Sequence, residues 1–220
     1  MSLLETIKGR GYWEVVIRPA RFVEKRASKN ELAEIVRTQQ VRFRGWYFPH
    51  WDGKEKKLSD HIEQEVPLFL SEVETWRFYQ SGLFVYFKGM RGDWLERPPP
   101  GTADLNPRPL SVEDTVYTLS EALEFAARLA RSKAGDNLMH VAATLHGLRG
   151  RRLLSSSWMG APPTPCDEDV LPMSGEFSRE QLAAEARGIA ANWAREVFDL
   201  FGWDPPAEIL QETQAQFREP

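Results

Sequence analysis

The stretch TWRFYQSGLFVYFKGM, Thr75 to Met90, decides the fold class. Apolar and polar residues alternate on either side of Gln80-Ser81-Gly82, a turn signal, so two strands meet there in a hairpin. Alternation puts Trp76 and Phe78 on one face and Arg77 and Tyr79 on the other. Other segments extend the sheet. Tyr12 to Arg18 ends at Pro19 and reads as a strand, Val41 to Phe48 alternates, and His140 to Trp158 (HVAATLHGLRGRRLLSSSW) reads as a second hairpin turning near Arg149-Gly150. Strands joined by hairpins pair antiparallel.

Helices are marked by their ends. Ser28 and Glu31 form a capping box before Leu32, Ile35 and Val36. Ser111 opens a helix carrying Val116, Leu119, Leu123, Ala126 and Ala130, with Lys133 and Gly135 as its stop signal. Ser178 caps a third helix, with Gln181 three residues on and Phe177 and Leu182 placed as a hydrophobic staple. Leu182, Ala186, Ile189, Trp193, Val197 and Leu200 form its inner face, and Gly202 ends it. Asp204-Pro205 restarts a last helix, with Ile209, Leu210 and Phe217 inward. Two Pro-rich stretches, Glu96 to Pro109 and Ala161 to Pro172, read as loops. The expected fold is α+β: a mainly antiparallel sheet of about five to seven strands, helices on one face, a C-terminal helical pair, and one domain over 1–220.

The 220 residues carry a net charge of −4, and 8 Trp and 12 Phe supply a core. The acidic total excludes a whole-molecule attraction to nucleic acid, so any such surface is local. A lone cysteine, Cys166, fits a reducing compartment. No apolar run reaches the roughly 18 residues of a membrane span, and the first residues hold no secretory apolar core. A cytoplasmic location, no membrane and no cofactor are expected. P-loop, dinucleotide-binding and nucleophile-elbow motifs do not occur.

Four patterns bear on chemistry. His61, Glu63 and Glu65 share a strand face and can hold a divalent metal, with His50 a fourth group, or form a solvated outer face. Arg77 beside Tyr79 can clamp a phosphate or simply stabilise the sheet. Arg149, Arg151 and Arg152 at a hairpin tip, with Arg42 and Arg44, make a candidate basic patch for nucleic acid or a solvated turn. Trp46, Tyr47, His50 and Trp51 sit where the alternation of VRFRGWYFPHWD, Val41 to Asp52, breaks down, and form a candidate contact surface. Weaker signals are His140 and His146 on one strand face, Cys166 in an acidic loop that disfavours a thiolate, and Glu121, Glu124 and Arg128 at the spacing of exposed helix pairs.

WEVVIRP (Trp13 to Pro19), RGWYFPH (Arg44 to His50), ETWRFYQSG (Glu74 to Gly82), TLSEALEFAARLA (Thr118 to Ala130) and FGWDPPAEIL (Phe201 to Leu210) occur in this order. Together they resemble a widespread group of uncharacterised bacterial cytosolic proteins with no assigned activity. The resemblance implies a bacterial, cytosolic, single-domain protein and transfers no site residue; the Pro-rich stretches and Asp52 to Glu65 depart from the pattern. Three readings follow in order: a non-enzymatic protein-interaction module, its partner another protein or a second copy; a nucleic-acid-associated protein using the six arginines; and a metal-dependent hydrolase or nuclease at His61, Glu63 and Glu65.

Overall fold

The computed structural model describes residues 1–69, 71–97, 99, 101–102, 104–155 and 164–217. The hairpin at its centre is β4 (Glu72–Tyr79) and β5 (Phe84–Gly89), paired antiparallel with Thr75 opposite Phe87 and Phe78 opposite Phe84. Gly82 closes the turn at φ +89°, its N–H donating to the Tyr79 carbonyl. Around it, β1 (Tyr12–Pro19), β2 (Lys56–Lys57), β3 (His61–Phe69), β7 (Leu138–His146) and β9 (Val170–Ser178) complete an antiparallel seven-stranded sheet in the order β2-β3-β4-β5-β1-β7-β9. A separate parallel pair joins β6 (Leu110–Ser111) to β8 (Leu153–Leu154).

Trp13, Val15 and Ile17 of β1, Trp76 and Phe78 of β4, and Phe84 and Tyr86 of β5 turn to one face, every one of them buried. Against the sheet lie α2 (Lys29–Gln39), α3 (Val112–Ala130) and α4 (Arg179–Asp199), and α5 (Ala207–Ala215) packs on α3 and α4. Burying each of these large side chains contributes about 1.5–3 kcal/mol. The short α1 (Leu3–Lys8) rests on the other face, where Lys8 lies 4.7 Å from the Phe87 ring centre. The caps form as the sequence predicts: Ser28 and Glu31 make a reciprocal capping box, and Ser111 and Ser178 accept from Asp114 and Gln181. No helix among the described residues is long and apolar enough to cross a membrane.

Four local expectations change. Val41 to Phe48 is not a strand but a closed loop. Val41 and Phe48 exchange both backbone hydrogen bonds, at 2.9 and 2.8 Å, and Gly45 at φ +82° turns the chain before the ladder extends. The segment after β7 is not a hairpin, because Gly147 and Gly150, both at positive φ, divert it into β8. The partner of β7 is instead β9, whose Val170 to Pro172 fall at the end of the predicted second loop. That edge position tolerates Pro172, which has no N–H to give. The last helix starts at Ala207, with Pro206 rather than Asp204 as its cap, while Asp204 pairs with Arg195 at 3.3 Å. Parts of the predicted loops, Pro98, Pro100, Ala103 and Ala161 to Pro163, and the stretch Ser156 to Trp158, lie outside the described residues.

The Gly82 turn is the most testable part of this frame. A Cβ at Gly82 overlaps the Ala134 carbonyl oxygen and meets the Pro19 ring at 3.0 Å. Gly82→Ala is expected to lower stability by about 1–3 kcal/mol, since strain and overlap add, read as a lower urea midpoint at unchanged m-value.

Candidate ligand site above a buried ion network

The closed loop 41–48 is fastened to the core by its charged and aromatic side chains. Arg44 turns inward to α3. Its Nη1 pairs with Asp114, its Nη2 donates to Glu121 at 2.5 Å and to Thr118 at 3.0 Å, and its Nε donates to both Glu121 oxygens at 3.1 Å. Asp114, Thr118 and Glu121 stand at i, i+4 and i+7 on one stripe of α3. Lys88 of β5, 1% exposed, reaches the same place, 3.1 Å from both Asp114 and Glu72. Glu74, directly across the hairpin from Lys88, is fully buried and accepts from Tyr86 Oη at 3.0 Å, Trp46 Nε1 at 3.1 Å and the His50 N–H at 2.8 Å. Trp76 Nε1 donates to the His50 carbonyl at 2.8 Å.

Three buried carboxylates, Glu72, Asp114 and Glu121, therefore meet two cations, the buried Lys88 and the largely buried Arg44, with a fourth buried carboxylate, Glu74, beside them. Burial penalises charge, and neighbours decide the outcome. Burial pushes Glu74 up to about 7 against its three hydrogen bonds. It also raises Glu121 in spite of Arg44. Burial acts upward on Asp114 too, but Lys88 and Arg44 together overcome it and hold the group below the ordinary carboxylate range. Tyr86 is raised, by burial first and then by Glu74.

The Arg44–Asp114 pair also lines a cavity of about 1040 Å³. Its other walls come from the 3-10 turn Arg91–Trp94, Leu95, Arg97, Pro99 and Thr102 after it, the first turns of α3 and the end of β8. Arg91, Arg97 and Arg108 line it with Ser111, Glu113, Tyr117 and Ser155, and Phe43, Leu95 and Leu154 give it apolar surface. Ser155 and Ser111 donate to the two Glu113 oxygens at 2.7 and 3.1 Å. The walls are set by Arg151, which forks onto Asp93 at 2.9 and 2.6 Å and donates to the backbone carbonyls of Arg108 and Gly147. Gly11 leaves room for that guanidinium, which an added Cβ would meet.

The predicted site residues fall in several places. Arg151, at 2% exposure, is a buried structural group and cannot contact nucleic acid from the surface; Asp93 draws it inward. Arg44 is likewise an interior residue, claimed by α3. Of the other arginines, Arg42 covers the Tyr47 ring at 5.1 Å, Arg77 pairs with Glu63 on the outer sheet face, and Arg149 and Arg152 are exposed beside the Gly150 turn. The six do not form one surface. Trp46 stacks on His50 with ring centres 4.2 Å apart, Trp51 Nε1 donates to Glu55, and Tyr47 is 38% exposed.

His61, Glu63 and Glu65 do share the outer face of β3. His61 Nδ1 lies 2.8 Å from Asp60, and Glu63 accepts from Arg77 at 3.1 Å. Among the described residues no group of three or more His, Cys, Asp or Glu is arranged to hold a metal ion. Glu121, expected on an exposed helix face, is 1% exposed and serves Arg44, while Arg128 pairs with Glu124 and donates to the Gln40 carbonyl. Cys166 is buried, and burial raises its thiol.

Two outcomes test the network. Arg44→Leu strands Glu121 without its cation and leaves Asp114 to Lys88 alone, and is expected to cost about 3–5 kcal/mol, read by urea unfolding. For Glu74, the ordinary value is 4.5 and the folded value about 7. Between these the folded chain keeps a proton that the unfolded chain releases, so stability falls as pH rises through this window and levels off above it. The loss from this group is about 3 kcal/mol. In Glu74→Gln that component of the pH slope should vanish, seen by comparing unfolding free energies at pH 5 and pH 8.

No family model, no curated protein and no solved structure matches the chain.

Proposed function

We propose that this chain is a binding protein whose ligand site is the cavity over the Arg44–Asp114 pair. The supporting observation is a concavity of about 1040 Å³ that combines apolar walls with a few fixed polar groups. That mixture is what small-molecule sites present: apolar area for affinity and a few placed polar groups for orientation. Arg44 is held from behind by α3 and the backbone of the Arg91–Trp94 turn by Arg151, so this part of the wall is ordered before binding. The reading keeps the non-enzymatic module expected from the sequence and moves its site from the aromatic stretch to the cavity. Bacterial origin and a cytosolic location are part of the proposal and are carried by the resemblance of the quoted stretches alone.

A protein-interaction role has one specific support, the exposed Tyr47 ring under Arg42. Trp46, Phe48, His50 and Trp51 are at least partly buried, and Trp46, His50 and Trp51 hydrogen-bond to acidic side chains. The anchor area left at the loop is small for a stable interface.

A ligand-observed NMR screen of anionic, neutral and cationic fragments tests the proposal. Gln216→Trp and Leu154→Trp each place a bulky ring at the cavity wall. Fragment signals that respond to wild-type protein are expected to lose that response with both variants, circular dichroism confirming the fold. Responses that survive both variants would place binding elsewhere and defeat the proposal.

A further inference from the structure

We infer that the cavity selects a dianion, a phosphorylated small molecule with a ring-sized organic body; this rests on the binding role proposed above. Four arginines line the cavity against two carboxylates, Glu113 and Asp114. Arg44 and Asp114 are occupied with each other, which leaves Arg91, Arg97 and Arg108 lining the cavity with Glu113, and Glu72 stands behind Arg91 at 3.8 Å. Among the lining residues this is an excess of two positive charges in a chain of net charge −4, so it is a property of the site and not of the surface at large.

The three arginines are also poorly supplied with internal partners. Neither Arg97 nor Arg108 has an ion-pair partner among the described residues, and Arg91 comes no closer than 3.8 Å to Glu72. A well-made guanidinium–carboxylate contact lies near 2.7–2.9 Å. Arg108 is half-buried, so its charge is only partly screened by water, and among the described residues its guanidinium donates only a long 3.5 Å bond to the Thr102 carbonyl. The backbone at Arg108 is fixed by Arg151, and Arg91 opens the turn whose Asp93 the same guanidinium grips. Two of the three cations are thus mounted on an immobilised frame.

Chemistry narrows the anion. Each guanidinium offers paired N–H donors in a planar fork. Three forks exceed what the two oxygens of one carboxylate accept, whereas a phosphate monoester presents three terminal oxygens and close to two charges near neutral pH. Phe43, Leu95 and Leu154 supply the contact for a carbon body.

The test uses the full chain and isothermal titration calorimetry at low ionic strength, with inorganic phosphate, AMP and adenosine as probes. AMP is expected to bind most tightly, phosphate more weakly, and adenosine at least about tenfold more weakly than AMP. Arg97→Gln and Arg108→Gln, both away from the buried network, should each weaken AMP by about tenfold or more, a loss typical of a charge-assisted contact. Arg77→Gln, on the outer sheet face, should bind as wild type does. Adenosine binding as tightly as AMP would overturn the inference, and so would AMP affinity unchanged in both cavity variants. If neither phosphate nor AMP binds while neutral fragments still respond to Gln216→Trp, the dianion falls and the binding role stands. If no fragment of any charge responds to Gln216→Trp, both fall together.

Discussion

A guanidinium held between two carboxylates of one helix fastens the centre of this molecule. Arg44 leaves its loop and enters the core to meet Asp114 and Glu121 of α3, and Lys88 joins it from the sheet. Removing such charges from water costs several kcal/mol each, and attraction repays this only where the hydrogen bonding is nearly complete. Completion comes from Thr118, Tyr86, Trp46 and the His50 N–H, which donate or accept around the ions. The excess of acid over base is met by raising Glu74 and Glu121, so that part of the negative charge gives way to protons. The loop at 41–48 has only one backbone bridge pair to hold it; its place in the fold comes from side chains.

The same arrangement positions the site. Arg44 and Asp114 face the network on one side and the cavity on the other, so the wall of the cavity is part of the core. A second buried fork, Arg151 on Asp93, fixes the turn that carries Arg91 and the backbone at Arg108. A buried arginine thereby fixes the backbone that carries two others facing the cavity. Rigid support behind a few weakly paired charges favours selectivity, because the backbone that carries the donors does not have to be ordered when a ligand arrives.

Much of this was legible in the sequence. The parity of the central hairpin that puts Trp76 and Phe78 inward also puts Glu72 and Glu74 inward, and Tyr86 carries Lys88 with it. On α3, Asp114, Thr118 and Glu121 recur at helical spacing in a helix that the structure buries nearly all round, where they form a buried polar stripe. The general habit of placing charge outside obscured both signals and led Glu121 to an exposed face. Arg91, Arg97 and Arg108 carry no such mark. They lie along a turn and a Pro-rich segment without period, and nothing local shows that they face one concavity.

By itself the sequence determined the elements that depend on neighbours a few residues away: the hairpin at Gly82, the caps at Ser28, Ser111 and Ser178, the inner faces of the helices, and hence the α+β class. Backbone geometry imposes periods of two and 3.6 residues and fixed cap positions, so these signals are contained in short windows. The tertiary structure alone decided that β9 completes the sheet beside β7, that Arg151 is interior, and which acids take Arg44. Arg44 and Glu121 are 77 residues apart, and Arg151 and Asp93 are 58 apart. Such pairs are chosen by desolvation: once packing has closed around a charge, only the partner already within reach can keep it there.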